Sequence, residues 1–214
     1  MKKILVLLMT SLVMCSLTGC GGKTATAAGP SKSYDLMGQR EVTFVTPGEP
    51  WVEELRTLGQ EDAELGMPAD TVLGVAFRTP DDKGLISVNM HEQRKDDTGK
   101  PVELEDDQET LDIIAMRVEK RDGTRLDQEY IQVLGKNAFR MVFEIPEEDG
   151  KVKGEQVHFT LDGKYYSFSF LVPAEKYSSE QGHFRRLVES FTVKKTGSGP
   201  APAQTPKAAA TPAK

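Results

Sequence analysis

Apolar and polar positions change rhythm several times along this chain, and each rhythm predicts an element. Residues 41–46 (Glu-Val-Thr-Phe-Val-Thr) alternate and read as a short strand. Thr46-Pro47-Gly48-Glu49-Pro50 breaks it, after which Trp51, Leu55 and Leu58 recur at i, i+4 and i+7 and predict one face of a short helix. The acidic stretch 60–70 reads as a loop. Residues 71–79 and 85–91 alternate as two strands joined through Pro80-Asp81-Asp82-Lys83-Gly84, with Leu73, Val75, Phe77 and Ile86, Val88, Met90 as the inward sets. Polar residues 93–101 follow as a loop. A helix is predicted over 107–120, where Asp106 and Glu109 have capping-box spacing and Leu111, Ile114, Ala115 and Val118 line one side; Asp122-Gly123 stops it.

The second half is more regular. Residues 126–134 and 138–145 form a strand pair turned at Gly135-Lys136-Asn137, with Phe139, Met141, Phe143 and Ile145 pointing one way. Residues 156–161 and 164–172 flank Asp162-Gly163, and a two-residue Asp-Gly loop favours a type I′ turn. That turn opposes Leu161 to Lys164, Phe159 to Tyr166 and Val157 to Phe168, so turn chemistry and alternation agree on one apolar face. A last helix starts at Ser178, with Gln181 at capping-box spacing and Phe184, Leu187, Val188 and Phe191 as its stripe; residues 191–193 add a short closing strand. The sum is one mostly antiparallel sheet with two main helices, an α+β domain without internal repeats.

The N-terminus changes this picture. Met1-Lys2-Lys3 is basic and residues 4–17 are almost wholly apolar, the layout of an export signal and too short for a stable membrane span of about 20 residues. The run ends in Leu17-Thr18-Gly19-Cys20, which resembles the lipobox of bacterial lipoproteins. That resemblance implies cleavage between Gly19 and Cys20, a diacylglyceryl thioether on the Cys20 thiol, and further acylation, such as palmitate, on the new amine. Each buried methylene contributes about 0.8 kcal/mol, so one chain anchors marginally and two or more hold firmly. The remaining cysteine, Cys15, leaves with the signal, so the mature domain has no disulfide and rests on its core.

The expected organisation is residues 1–19 as lipoprotein signal peptide, 20–33 as lipidated Cys20 and flexible tether, 34–194 as the domain, and 195–214 as a disordered Pro/Ala-rich tail. The domain, of roughly 160 residues, is long enough for a sizeable core. Formal charge is −6 over the full chain, and loss of Lys2 and Lys3 makes the mature protein more acidic still. An acidic balance excludes the basic footprint of nucleic-acid binding.

Leu161-Asp162-Gly163-Lys164-Tyr165-Tyr166-Ser167-Phe168-Ser169-Phe170, then Tyr177, then Phe184-Arg185-Arg186-Leu187-Val188-Glu189-Ser190-Phe191 resembles the closing hairpin and helix of PsbP-like domains. Phe44-Val45-Thr46-Pro47 with Trp51 resembles the opening of the same group, which includes an extrinsic photosystem II protein and shares its fold with a Ran-binding import factor. The resemblance implies an α/β/α sandwich. Alternation predicts one apolar and one polar sheet face. The two agree only if the Trp51 helix or the 60–70 segment lies across the second face. No binding residues of the photosynthetic members carry over.

Candidate chemistry is sparse. His91, His158 and His183 are the histidines. His91 and His158 fall on the outward face, the latter opposite Ser167, and His183 lies near the start of the last helix. Scattered solvated side chains describe them better than metal ligands. Asp81-Asp82, Asp96-Asp97 and Asp106-Asp107 lack calcium-loop spacing and read as solvated loops. No nucleophile elbow, phosphate loop or metal motif is present, so no catalytic residue, metal or cofactor is expected. Trp51, the lone tryptophan, reads as the plug of a small core or as an exposed contact. Lys207 and Lys214 give the tail a means of touching peptidoglycan or a partner, although an inert tail is the plainer reading.

The expectation is a membrane-anchored cell-envelope lipoprotein, held by lipid on Cys20, whose domain is a non-enzymatic module binding an envelope protein or supporting an assembly. With two membranes it sits on the periplasmic face of the outer one; with a single membrane it faces outward. The alternative is a carrier or sensor of a small apolar ligand held between sheet and helix. Intact mass of the membrane-extracted protein should show a chain beginning at Cys20 and carrying lipid, and Cys20→Ala should leave the chain unanchored or unprocessed. Wild type that is cut elsewhere and soluble would refute the anchor.

Overall fold

The computed structural model describes residues 27–57 and 71–196. The expected signal and lipidation site, most of the tether, the acidic loop and the C-terminal tail lie outside the described residues.

The β8–β9 hairpin, β8 (Gly150–Leu161) and β9 (Lys164–Pro173), sets the frame. Asp162 and Gly163 have φ of 52° and 77°, as a type I′ turn requires, and glycine enters that region without a Cβ penalty. The resulting pairs are Leu161 with Lys164, Phe159 with Tyr166 and Val157 with Phe168, as the turn chemistry predicts. Around this hairpin a seven-stranded antiparallel sheet forms in the order β3-β4-β5-β9-β8-β7-β6. Its other strands are β3 (Val52–Thr57), β4 (Val72–Arg78), β5 (Leu85–Glu92), β6 (Thr124–Val133) and β7 (Lys136–Glu147). A separate three-stranded sheet comprises β1 (Ser31–Leu36), β2 (Arg40–Val45) and β10 (Thr192–Lys195) in the order β1-β2-β10. The helices are α1 (Gln108–Glu119) and α2 (Tyr177–Ser190).

Two apolar clusters hold the layers. On the first face Val75, Phe77, Ile86, Val88, Met90, Phe159, Tyr166, Phe168 and Phe170 meet Val42 and Phe44 of the small sheet and Phe184 and Leu187 of α2. Phe191, just after α2, lies edge-on to Phe168 with centroids 4.9 Å apart, and Phe170 stacks on Phe184 at 5.6 Å. Each such pair contributes about 0.5–1.5 kcal/mol beyond area burial. On the second face Phe139, Met141, Phe143 and Ile145 of β7 pack with Leu104 and with Ile114 and Val118 of α1. The helices therefore cover opposite faces of the large sheet, and the domain is an α+β sandwich of mostly antiparallel sheets. Among the described residues no helix is long and apolar enough to cross a membrane.

Several expectations need correction. The Trp51 helix is strand β3, paired with β4 from Val52↔Arg78 to Thr57↔Val72. Trp51 is buried while Val52 and Leu55 are exposed, so these positions never shared a helical face; the β4 edge satisfies their backbone instead. The second face is covered by α1 rather than by a helix at Trp51. There are two sheets rather than one, and β1 begins at Ser31, ahead of the expected domain start at Tyr34. The turn between β6 and β7 is Leu134-Gly135, both at positive φ, which draws Lys136 and Asn137 into the strand. The α1 cap is Asp107, whose carboxylate accepts from the Thr110 N–H at 3.1 Å; Asp106 closes the preceding 3-10 turn. Helix α2 starts at Tyr177 without a side-chain cap, which puts Ser178 inside it, and Gln181 turns to Glu155 instead.

Phe168 is fully buried where both hairpin strands and Phe191 meet. Phe168→Ala should destabilise the protein by about 3–5 kcal/mol, read as a lower denaturant midpoint at unchanged m-value.

Candidate functional site

The second face is only partly covered, and its bare part has a distinct composition. Antiparallel register aligns Arg56 (β3), Gly74 (β4), Asn89 (β5), Ser167 (β9) and His158 (β8) in one cross-strand row, continued by Phe139 (β7) and Tyr130 (β6). A neighbouring row runs Ala76, Ser87, Ser169, Gln156 and Met141. Directly opposed residues share a face, so these rows form one floor. Under α1 that floor is apolar; beyond α1 it is glycine, alanine, serine and amide. Gly74 has a steric reason: a Cβ there would lie 2.5 Å from the Asn89 side-chain oxygen. Small side chains beside a helix leave a trough of about 590 Å³, walled by Thr110, Ile113, Ile114 and Arg117 of α1.

Its inner end is a hydrogen-bonded group. His158 is 4% exposed, its Nδ1 lies 2.6 Å from the Tyr165 hydroxyl, and its Nε2 lies 3.2 Å from Gln156 Oε1. The Gln156 oxygen only accepts, so Nε2 carries the proton and Nδ1 accepts from Tyr165. Burial, then the nearby Arg117 charge, pushes the His158 pKa down to about 3, so the ring is neutral at physiological pH. Burial raises the Tyr165 pKa. At the mouth Arg94 is engaged by Asp107 at 2.6 Å and by Glu109 at 3.2 Å, and Lys164 holds Glu92. Arg56 and Arg117 also line the trough and make no ion pair among the described residues. Partial desolvation, then the charges of Arg56 and Arg117, lowers the pKa of His91.

The other face carries a buried ion pair. Arg140 Nε meets Glu155 Oε1 at 2.6 Å, and its Nη1 reaches Glu129 at 2.7 Å and Asp127 at 3.2 Å. Burial pushes the Glu155 carboxyl up, but Arg140, Gln181 and the Tyr177 hydroxyl outweigh it and hold it below the usual range. Beside this pair a groove of about 420 Å³ runs between α2 and β6, lined by Ile131, Leu134 and Val188. Phe184 and Phe191 seal its bottom, which makes it a shelf rather than an enclosed apolar cavity.

Among the described residues strand β6, ten residues long, is a free edge of the large sheet. Leu126, Tyr130 and Leu134, the last in its turn, are 47%, 49% and 45% exposed. Leu126 sits at a bulge where the pairing shifts between Arg125 and Asp127. Asp127 and Glu129, the carboxylates that would charge this edge, are bound to Arg140.

Gly19 and Cys20 lie outside the described residues. Trp51 is no exposed contact: it packs in the main core with its ring 6.4 Å from that of His183. His158 and His183 are buried rather than solvated, His158 because α1 covers the outward face; only His91 is exposed. The three do not converge, and among the described residues no group of three or more His, Cys, Asp or Glu is placed to hold a metal ion. Asp81 accepts from Thr79 and the Lys83 N–H, and Asp96 from Thr98 and Lys100, as loop-shaping carboxylates do. Sequence reasoning missed Arg117, Ser167, Ser169 and Tyr165 as partners in one surface. The alternation of Tyr165, Ser167 and Ser169 on β9 was visible; the position of α1, which brings Arg117 beside them, was not.

This mostly antiparallel α+β sandwich has a PsbP-like fold. The solution structure of the cyanobacterial PsbP protein CyanoP, from a Synechocystis species, matches at a TM-score of 0.51 and 15% identity, over 83% of this chain and 99% of that one. A crystal structure from Bacteroides thetaiotaomicron aligns at 0.45 and 12% identity, over 79% of this chain and 50% of that one. The structure of LpqN, involved in cell envelope biogenesis of Mycobacterium tuberculosis, aligns at 0.44 and 12% identity, over 72% of this chain and 91% of that one. No protein-family model matches the sequence, and no curated protein matches it.

The neutral burial of His158 makes stability depend on pH. Its folded pKa lies below the unfolded value of about 6.5, so the unfolded state binds the proton first and stability falls as pH drops from about 6.5 toward 3. One such group contributes a slope of at most about 1.4 kcal/mol per pH unit. His158→Gln should flatten urea-unfolding free energy between pH 6 and 4; an unchanged slope would show that the ring is already solvated.

Proposed function

We propose that this chain is a lipid-anchored protein of the cell envelope whose PsbP-like domain is a non-enzymatic protein-binding module, docking an extended segment of a partner along the β6 edge. The observation that carries this reading is the edge itself: long, unpaired on its outer side among the described residues, with exposed Leu126, Tyr130 and Leu134. Folded proteins ordinarily charge, shorten or cover such edges, since an apolar open edge recruits another strand. Here Arg140 draws Asp127 and Glu129 into ion pairs. A partner strand would gain main-chain hydrogen bonds from β6 and apolar contact from Tyr130, the pattern of strand addition. The anchor rests on the Leu17-Thr18-Gly19-Cys20 motif.

The absence of enzymatic activity is part of the proposal. The neutral His158 gives both ring nitrogens to Tyr165 and Gln156, an arrangement suited to holding shape. An apolar-ligand carrier would have to use the α2–β6 shelf, whose bottom is already filled by Phe184 and Phe191.

A photo-crosslinking residue in place of Gln128 should yield discrete envelope adducts in cells. Tyr130→Lys should abolish them while shifting stability by no more than about 1–2 kcal/mol, a surface change plus the loss of the edge contact with Phe139. Adducts that persist in Tyr130→Lys, or none from Gln128 but a full set from a site on β3, would sink the reading.

A further inference from the structure

We propose that the trough beside α1 is a binding site for a carboxylated saccharide, with Arg117 and Arg56 receiving the carboxylate and Asn89, Gln156, Ser167 and Ser169 the ring hydroxyls. This surface is separate from the β6 edge and does not depend on it.

Three observations converge. The trough, at about 590 Å³, has the size of a small-molecule site, which runs from about 300 to 1,000 Å³. Its charge opposes that of the protein: in a chain of net −6, Arg56 and Arg117 face the same space with no carboxylate bound to either among the described residues. The trough's two carboxylates, Glu92 and Asp107, are taken up by Lys164 and Arg94, which leaves Arg56 and Arg117 as its unpaired charges among the described residues; both bear on His91, and Arg117 also bears on His158. Guanidinium groups pair with planar carboxylates through two parallel hydrogen bonds.

The floor then selects what carries the carboxylate. Ser167 and Ser169 donate to no acceptor among the described residues, and the Gln156 amide keeps its NH₂ free because its oxygen takes the His158 proton. Strands β4, β5, β9 and β8 are all interior to the sheet, so their backbone groups are paired with one another. An extended peptide laid across them finds no main-chain partners, and the floor has no apolar pocket for its side chains. A polyol needs neither. It takes hydroxyl and amide side chains as partners, and the exposed His91 ring, 6.2 Å from the half-buried Tyr165 ring, offers a face for its C–H surface. Ile113 on the α1 wall, 38% exposed, serves the same purpose.

The test uses the lipidated full chain in detergent micelles, isotopically labelled, titrated with sodium glucuronate, glucose, sodium acetate and tetraglutamate at constant ionic strength. Glucuronate and glucose differ by the carboxylate, glucuronate and acetate by the polyol. Glucuronate should bind at least tenfold more tightly than the other three, with amide shifts centred on Asn89, Ser167 and Ser169. Arg117→Gln should weaken glucuronate at least tenfold and leave glucose unchanged. Ser167→Leu should block the floor by bulk, a second variant independent of charge. Equal affinity for acetate, tighter binding of tetraglutamate, shifts outside the trough, or undiminished binding by both variants would each overturn the proposal.

Discussion

Register in the β8–β9 hairpin is the constraint on which the rest of the structure depends. The Asp162-Gly163 turn opposes Leu161 to Lys164 and thereby decides which side of the sheet receives each residue of both strands. Phe159, Tyr166, Phe168 and Phe170 go to the face where Phe184, Leu187 and Phe191 close the core, while His158, Tyr165, Ser167 and Ser169 go to the other. A slip of one residue would exchange the sets, exposing the aromatic side chains and burying the serines. The turn, the alternation and the α2 stripe all favour the same register, which is the agreement between levels that leaves one structure well below its competitors.

The second face follows a different logic, because two elements compete for it. Strand β7 sends Phe139, Met141, Phe143 and Ile145 there and Ala138 and Val142 to the main core, so it is apolar on both sides and needs cover on both. Helix α1 supplies that cover, with Ile114 and Val118 inward and Asp107 fixing its start. Its buried residues cluster with β7, and no residue of β5 joins that cluster. The strands beyond have serine and asparagine facing the same way, which tolerate water and need no cover. The trough is thus a consequence of covering one apolar strand with one helix on a wide sheet.

Legibility in the sequence tracks how many physical signals each element carries. The closing hairpin had a turn signature and two alternating strands, and its register was readable residue by residue. The inward sets of β4 and β5 and the buried side of α1 were readable for the same reason, since one face of each is buried and the other is not. Strand β3 had no such contrast: every residue from Val52 to Thr57 is exposed, its strand state comes from pairing with β4, and Trp51 and Leu55 imitated a helical spacing by chance. Strand β1 is similar, with only Tyr34 and Leu36 buried. His158 shows the limit most plainly. Its outward direction and its opposition to Ser167 were read correctly, yet it is buried, because local pattern assigns a face and only the tertiary fold decides what lies on that face. The trough was hidden on the same ground.

One cross-strand row ties the two candidate surfaces together. Arg56, Gly74, Asn89, Ser167, His158, Phe139 and Tyr130 lie side by side across the sheet, cationic at one margin, polar in the middle, aromatic at the other. Helix α1 crosses this row where it changes from polar to apolar, and His158 marks the crossing. A charged imidazole there would have to be desolvated beside Arg117, which is why burial and that neighbour both favour the neutral ring. Neutral His158 can accept from Tyr165 and donate to Gln156 at once, and that pair of hydrogen bonds seals the inner end of the trough against the apolar cluster under α1. The Tyr130 margin is therefore apolar while the Arg56 margin is cationic. A strand added at β6 would leave the trough open, so the two proposed surfaces, at opposite margins of the seven-stranded sheet, do not compete for space.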